Sequence, residues 1–214
     1  MVKKIAVEEH CLCPGLENYW APTVADMPAN KREALLARLT DFGEMRLATM
    51  DEAGIERAVL AVAGPGVQAE RDTKTACRKA REANDFLARE IDKRAGRYSG
   101  FAHLAMQDAV AAADELERSM RELKFCGAMI NGHTNGRYLD DRALDPFWER
   151  AQALDALTIC TRPTPSRRLR CWTATRGCGG RPGNGRSRPA RMPCASFSAV
   201  CSTASRARGS RSDT

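Results

Sequence analysis

Apolar and polar positions along the first 155 residues follow two alternating periods, that of a strand and that of a helix. Short apolar runs predict four strands, at 3–7, 57–63, 98–105 and 126–130. After each run, apolar residues recur every three or four positions and predict helices at 31–53, 73–93, 108–124 and 141–154. Strand and helix therefore alternate four times, which is typical of an α/β fold with a parallel sheet.

Local signals support these boundaries. Asn30 can cap the first long helix and Gly54 can end it, while Asp108 can cap the third. The turn at 64–66, which reads Gly-Pro-Gly, closes the second strand. The capping and turn residues thus agree with the element boundaries that the periodicity of the apolar residues predicts.

Four strand–helix units amount to half of an eightfold β/α barrel, and 214 residues are fewer than the roughly 250 typical of a whole one. We therefore predict that residues 1–155 form the N-terminal half of a (β/α)8 TIM barrel and that residues 156–214 form a separate segment. Half a barrel leaves strand edges and an apolar face without partners. Poor stability and aggregation are the expected consequences.

Charge divides the chain at the same place. The net charge is +7, but the 59 residues from Ala156 onward hold twelve Arg, no Lys and one acid, Asp213. That segment carries +11, which leaves −4 for residues 1–155. The basic balance of the whole chain therefore says nothing about its ordered part.

The remaining composition predicts an ordinary cytoplasmic protein. No apolar run is long enough to cross a bilayer, and the first residues lack the apolar core of a signal peptide. Nine cysteines are present, four before Ala156 and five after it, and their spacing does not form a disulfide framework. We expect reduced thiols.

The first strand ends in the most informative side chains. Residues alternate between faces along a strand, so Glu8 and His10 are predicted to share one face while Glu9 points to the other. A carboxylate and an imidazole at the carboxyl end of a barrel strand could bind a divalent metal. A surface strand that happens to end in charged residues is the alternative.

Six blocks of sequence carry a family resemblance. They are VEEH at 7–10, RL at 46–47 with MDEAGIE at 50–56, GPGVQ at 64–68, AND at 83–85, RYSGFA at 97–102 and GAMING at 127–132. Their order and spacing resemble those of the decarboxylases of the amidohydrolase superfamily, and most of all the γ-resorcylate (2,6-dihydroxybenzoate) decarboxylases. The resemblance covers residues 1–155 almost without gaps.

The resemblance implies a metal-dependent enzyme. In that family the Glu and His of the first strand bind a divalent metal, Zn²⁺ or Mn²⁺, which assigns Glu8 and His10. The other ligands are a His after strand five and an Asp after strand eight, and a further His serves catalysis. None of these falls within residues 1–155, so the catalytic residues of this chain are not assigned.

The implied reaction is the non-oxidative decarboxylation of a hydroxybenzoate, γ-resorcylate to resorcinol and CO₂. A small aromatic carboxylate is the expected partner, and the intact enzyme is expected to be a homo-oligomer without membrane contact. A metal-dependent hydrolase of the same superfamily is the alternative. The Glu-x-His start disfavours it, because those hydrolases usually open with His-x-His.

Other polar residues have two interpretations each. Asn131 follows the fourth strand at its carboxyl end and could bind substrate or cap a loop. For His133 we favour an exposed loop position over a functional role. His103 could face the barrel or the helices. For Arg46 we favour a solvated position on a helix over a functional role. The aromatic pair at 19–20 could line a pocket or pack beneath its loop.

Residues 156–214 have two interpretations as well. An excess of Arg, Ser, Pro and Gly without periodicity is typical of a disordered basic tail that binds nucleic acid non-specifically. Alternatively, the reading frame has slipped near Ala156. The neighbouring frame permits HPTNP for 161–165, and it permits further family-like strings for 172–185 and 191–206. We predict the frame slip, and with it an inactive chain.

Overall fold

The computed structural model describes residues 3–161. Five parallel strands form a curved half barrel: β1 (Lys4–Cys11), β2 (Ile55–Val62), β3 (Tyr98–Gly100), β4 (Gly127–Asn131) and, after a short hairpin, β7 (Leu157–Thr161). The hairpin strands are β5 (His133–Thr134) and β6 (Arg137–Tyr138), which pair with each other in antiparallel fashion. The predicted α/β half barrel is confirmed.

The five strands follow chain order around the sheet. β2 pairs with β1 on one side and β3 on the other, and β4 pairs with β7. A parallel bridge between Ala102 and Ala128 joins β3 to β4, where the Ala102 N–H donates to the Gly127 carbonyl at 2.8 Å. Within the described residues, β1 and β7 are therefore the two edges of the sheet.

Helices cover one side of this sheet. They are α1 (Glu17–Trp20), α2 (Ala29–Thr40), α3 (Glu44–Glu52), α4 (Thr73–Asp92), α5 (Ala109–Arg121) and α6 (Asp145–Ala153), with 3-10 turns at Ala21–Val24, Gly66–Ala69 and Arg142–Leu144. Capping follows the sequence: the Asp108 carboxylate accepts from the Val110 and Ala111 N–H groups, both at 3.0 Å. Each helix of the described residues is too short or too polar to span a membrane.

Two apolar clusters lie on opposite faces of the sheet. The large one packs strands against helices and includes Leu60 and Val62 of β2. The small one, on the inner face of the half barrel, consists of Val59, Ala61, Phe101 and Met129, with Cys126 and Ile159 packed against it. Because side chains alternate along a strand, neighbouring β2 residues belong to different clusters.

The structure departs from the predicted elements at several places. Strand β1 continues to Cys11, past the end predicted at residue 7, and β3 ends at Gly100 although a strand was predicted at 98–105. The single helix predicted at 31–53 is broken at 41–43, where the Asp41 carboxylate accepts from the Gly43 and Arg46 N–H groups at 3.1 and 2.7 Å. A side chain that satisfies backbone donors competes with the helix at that point. Asn30 consequently lies inside α2, and Pro28 precedes the helix.

Strand β7 lies past residue 155, where regular structure was expected to end. It pairs with β4 in parallel from Gly127 opposite Leu157 to Asn131 opposite Thr161. The barrel portion thus includes a fifth strand. The predicted disordered tail otherwise lies outside the described residues. The five cysteines of the described residues are unpaired thiols.

Candidate active site

The carboxyl ends of parallel strands gather at one rim of a barrel, where enzymes of this fold keep their chemistry. In the described half barrel, the rim holds the ends of β1, β2, β4 and β7 and the loops that follow them. Polar side chains concentrate there, while the inner face behind them is apolar. The rim is therefore the candidate active site.

An irregularity in β1 decides which side chains reach the inner face. Ala6 pairs with Ala58 and Glu9 with Leu60, so Val7 and Glu8 together stand opposite the single residue Val59. Glu8 has a φ of 66°, the left-handed region that costs a residue with a side chain roughly 1 kcal/mol. This is a β-bulge with one extra residue.

The bulge shifts the alternation of side chains by one position. Before it, Ala6 packs against the helix-side cluster, and after it, Cys11 does so. His10 pairs with Ala61, whose side chain belongs to the inner cluster. His10 therefore faces inward with Glu8 opposite Val59, whereas unbroken alternation from Ala6 would have turned both of them toward the helices.

Glu8 and His10 are available as ligands. Both side chains are exposed, and neither has a hydrogen-bond or ion-pair partner among residues 3–161. Glu9 differs, because its carboxylate lies 3.7 Å from Nη1 of Arg46 on the helix side. An oxygen donor and a nitrogen donor that are otherwise unpaired fit a divalent cation such as Mn²⁺ or Zn²⁺.

Two candidate ligands do not make a complete site. Within residues 3–161, no group of three or more His, Cys, Asp or Glu side chains is placed to hold one ion. The inner position at the carboxyl end of β7 is Thr161, two residues past the inward-packed Ile159. A neutral threonine hydroxyl is a poor substitute for an imidazole or a carboxylate, so the rim is short of donors.

Asn131 lies at the carboxyl end of β4, as predicted, but its amide is engaged by the protein. Nδ2 donates to the Pro65 carbonyl at 3.2 Å and to Oε1 of Gln68 at 2.9 Å. Oδ1 accepts from the Thr161 hydroxyl at 3.1 Å. Both N–H donors are thus used, and the remaining hydrogen-bonding capacity of the side chain is as an acceptor.

Gln68 is the buried centre of this network, and the sequence did not single it out. Its Oε1 accepts from the Asn131 backbone N–H at 2.8 Å, and its Nε2 donates to the Asn131 carbonyl at 3.2 Å and the Thr134 hydroxyl at 2.7 Å. One amide therefore ties the loop after β2 to β4 and the hairpin. Its place in the block at 64–68 was the available signal.

His103 is a buried structural residue and is not a free base at the rim. Its Nε2 accepts from the Val67 N–H at 3.0 Å, and its backbone N–H and carbonyl both bond to the Asn84 amide. Burial lowers the pKa of His103 from 6.5 to about 4. The ring is neutral and holds the loop at Gly66, where a Cβ would approach Nε2 to 2.3 Å.

Aromatic residues close the loops around the rim. The Tyr19 hydroxyl donates to a Glu70 carboxylate oxygen, and burial and this bond raise the pKa of Tyr19 to about 12. Trp20 is buried in the helix-side core. His133 is not in the exposed loop that was expected: it is half-buried on β5 against Tyr138, and its Nδ1 has no hydrogen-bond partner among the described residues. These contacts favour packing beneath the loops.

Comparison with known proteins identifies relatives of the chain. The family model described as Amidohydrolase matches residues 22–163. A γ-resorcylate decarboxylase of Polaromonas sp. strain JS666 is 42% identical over 158 residues, which are 71% of this chain and 48% of that protein. One from Rhodococcus jostii strain RHA1 is 41% identical, over 72% and 49% of the respective chains. The chain spans about half the length of these relatives.

Solved structures agree. A dihydroxybenzoic acid decarboxylase from Polaromonas sp. JS666, with bound manganese and 2-nitroresorcinol, superposes with a TM-score of 0.72 at 39% identity, covering 78% of this chain and 51% of that one. A 2,6-dihydroxybenzoate decarboxylase complexed with 2,6-dihydroxybenzoate gives a TM-score of 0.74 at 34% identity, covering 82% and 56%. The half barrel therefore corresponds to about half of a known architecture.

Proposed function

Because the chain belongs to the amidohydrolase family, we propose that it carries the first half of a metal-dependent decarboxylase of hydroxybenzoates, with γ-resorcylate as the substrate. One observation carries the proposal: Glu8 and His10 are exposed near the carboxyl end of β1, unpaired among residues 3–161, in a chain 42% identical over 158 residues to a γ-resorcylate decarboxylase. Manganese in the structure of a relative makes Mn²⁺ the first choice of metal, and Zn²⁺ the second.

Glu8 and His10 would hold the ion through one carboxylate and one imidazole nitrogen. When bound, a divalent cation neutralises the carboxylate and neighbouring phenolate of an ortho-hydroxybenzoate and orients the ring. The inner apolar cluster of Val59, Ala61, Phe101 and Met129 offers an aromatic ring a dry surface next to His10. These residues would position the substrate.

Asn131 is the proposed substrate contact. Its two N–H donors are occupied by Pro65 and Gln68, which leaves Oδ1 to accept one more hydrogen bond. An acceptor suits a phenolic hydroxyl and repels a carboxylate. Asn131 would therefore read the hydroxyl groups of the substrate, and we assign no described residue as the acid that protonates the ring carbon.

The chain of 214 residues is proposed to be inactive by itself. Glu8 and His10 are the two ligands proposed in the described rim, and Thr161 stands at the inner position of the fifth strand. Catalytic metal sites of this kind use at least three protein ligands. The cytoplasmic location and the homo-oligomeric assembly predicted for the intact enzyme remain part of this proposal.

Mn²⁺ binding in the presence of substrate tests the proposal. Free Mn²⁺ is measured by its electron paramagnetic resonance signal with the chain and either 2,6- or 3,5-dihydroxybenzoate. We expect weak binding that 2,6-dihydroxybenzoate strengthens, because its ortho hydroxyl and carboxylate supply two more oxygen ligands. The 3,5 isomer, which has no ortho hydroxyl, is the matched ligand control.

Variants identify the ligands in the same assay. Glu8→Gln and His10→Ala should each abolish the substrate-strengthened binding. Glu9→Gln is the matched control, because it removes a charge from the same strand and keeps an oxygen within reach of Arg46. Equal binding by wild type, Glu8→Gln and His10→Ala would show that the metal lies elsewhere.

Two alternatives keep their own tests. A metal-dependent hydrolase would share the metal site but would gain no Mn²⁺ affinity from a hydroxybenzoate. Nucleic-acid binding by residues 156–214 concerns a segment that lies almost wholly outside the described residues, and it predicts strong salt dependence. Sequencing the gene across the codons for 154–161 decides the frame slip directly.

A further inference from the structure

Arg46 lies behind the strand that carries the candidate metal ligands. It belongs to α3, and its side chain is 11% exposed, so it is not the solvated helix residue that the sequence favoured. A buried guanidinium must find acceptors for its donors, because leaving them unpaired is costly. Its partners therefore show what the residue does.

Those partners converge from three segments of the chain. Nη2 donates to the His10 carbonyl at 3.0 Å and to the Arg38 carbonyl at 3.0 Å. Nε donates to the Asp41 carbonyl at 2.8 Å, and the Asp41 carboxylate accepts from the Arg46 backbone N–H at 2.7 Å. The guanidinium thus joins β1 to the end of α2 and the start of α3.

Arg46 also holds the residue between the two ligands. Nη1 lies 3.7 Å from a Glu9 carboxylate oxygen, so the same side chain contacts the side chain of Glu9 and the backbone of His10. These two residues come directly after the bulge at Glu8. Without an anchor there, the register of the strand could slip by one position and turn the ligands toward the helices.

Within residues 3–161, Arg46 takes a backbone acceptor on the edge side of β1. The neighbouring Cys11 carbonyl accepts from the Ala63 N–H at 2.8 Å on the β2 side. The His10 carbonyl is held instead by Arg46, and within the described residues β1 has no strand on its other side. A side chain therefore does at the edge what a neighbouring strand does elsewhere in the sheet.

We propose that Arg46 is a positioning residue for the metal site. By holding Glu9 and the His10 backbone, it keeps the β-bulge in its place in β1, so that Glu8 and His10 both face inward. The proposal rests on the metal site proposed above. It assigns Arg46 no contact with metal or substrate. Its effect passes through the geometry of β1.

The test uses Arg46→Met in the full chain, with Arg118→Met as the matched control. Arg118 is equally buried, at 11% exposure, and contacts Asp85 and Glu115 at 2.8 and 2.7 Å on the helix side, away from β1. Both variants lose a buried guanidinium. Arg46→Lys is a third variant, which keeps the charge and can reach fewer of the carbonyls.

The first readout is hydrogen exchange of the backbone amides at 8–12, which needs no metal. We expect Arg46→Met to raise exchange there about tenfold while α4 and α5 stay protected. Arg118→Met should instead loosen α4 and α5 and leave 8–12 unchanged. Unchanged exchange at 8–12 in Arg46→Met and Arg46→Lys would overturn the proposal.

The second readout is the paramagnetic broadening of histidine ring protons by Mn²⁺. The chain has three histidines, of which His103 is buried, so the His10 signal can be followed separately. We expect Arg46→Met to need about tenfold more Mn²⁺ for equal broadening of His10. Arg46→Lys should lie between it and the wild type, and Arg118→Met should match the wild type.

The two readouts separate the two proposals. If Mn²⁺ fails to broaden His10 in the wild-type chain, the proposed metal site is wrong, and the exchange result alone decides whether Arg46 holds the strand. If His10 broadens equally in wild type and Arg46→Met, Arg46 does not position the ligands. A loss that Arg118→Met shares to the same extent would reduce Arg46 to a general structural residue.

Discussion

The two faces of the sheet differ in how completely they are covered. On the helix side, Leu60 and Val62 of β2 are buried in a core that reaches every long helix. On the inner side, the apolar cluster is small, and Ile5, Val7 and Leu157 at its margins are 62%, 51% and 39% exposed. The outer layer is thus a finished core, whereas the inner layer is half of one.

The two faces differ in role as well: the helix side stabilises the fold, and the inner face carries the candidate site. The helix-side core forms within the described residues and can hold the chain in shape. The inner face carries the candidate ligands, and both its apolar cluster and its donor set are incomplete there. A half barrel can therefore present the start of a metal site without being able to finish it.

The largest effect should come from the outer core. Leu60→Ala removes a fully buried side chain and should cost about 2–5 kcal/mol of unfolding free energy, measured by urea denaturation. Val7→Ala on the exposed inner margin should cost less than about 0.5 kcal/mol. Similar costs for the two variants would mean that the inner face is covered in solution, by another copy or another part of the chain.

A pH effect should follow from the buried imidazole at the rim. The pKa of His103 is lowered to about 4 in the folded chain, so between pH 6.5 and 4 the unfolded chain binds a proton that the folded chain does not. Stability should be full above pH 6.5 and should fall by about 3 kcal/mol as the pH drops to 4. Urea denaturation at several pH values measures this slope.

His103→Gln provides the control for the pH effect. A glutamine oxygen can accept the Val67 N–H in place of Nε2, but it does not titrate. The slope between pH 6.5 and 4 should therefore flatten in this variant. An unchanged slope would assign the pH dependence to the carboxylates.

A metal-binding side chain added to the inner face should strengthen Mn²⁺ binding, whereas one added to the helix side should not. Thr161→His puts an imidazole at the inner carboxyl end of β7 and should tighten Mn²⁺ binding by about tenfold, measured by the free Mn²⁺ signal. Thr158→His is the matched control, because residue 158 alternates to the helix side of the same strand. Equal tightening in both variants would indicate non-specific binding by added histidines.

The smallest expected effect concerns self-association. We expect the wild-type chain to aggregate through its exposed inner margin and through the β1 edge, which has no neighbouring strand among residues 3–161. Val7→Lys should reduce the apparent mass in light scattering, because a charge on an edge strand opposes pairing. Val110→Lys, at an equally exposed position on α5, should not. A monodisperse wild-type chain would contradict the expectation.

Periodicity predicted most of the fold because helices and strands of this chain bury regular stripes. α4 and α5 begin within a residue of their predicted starts, since Asp72 and Asp108 cap them. The break at 41–43 was not predictable from periodicity, because the apolar pattern continues through it. A local competition between the Asp41 carboxylate and the helix decided it.

The candidate site was predicted by residue type and explained by tertiary structure. Simple alternation placed Glu8 and His10 on one face, and counted from Ala6 that face would be the helix side, whereas the pairing of His10 with Ala61 places His10 on the inner side. The bulge, which shifts the alternation of side chains by one position, depends on the pairing of β1 with β2. Gln68 escaped notice because a buried amide has no signature of its own until its partners are known.

What the sequence determined by itself was local or carried by residue type: the order of strands and helices, the cap at Asp108 and the family. Tertiary structure alone decided four features: the bulge in β1, the burial of Arg46, the hydrogen-bond network around Asn131 and the pairing of β7 with β4. The reason is physical. Periodicity and capping act within a few residues, whereas register, burial and buried hydrogen bonds depend on segments that are distant along the chain and meet in the fold.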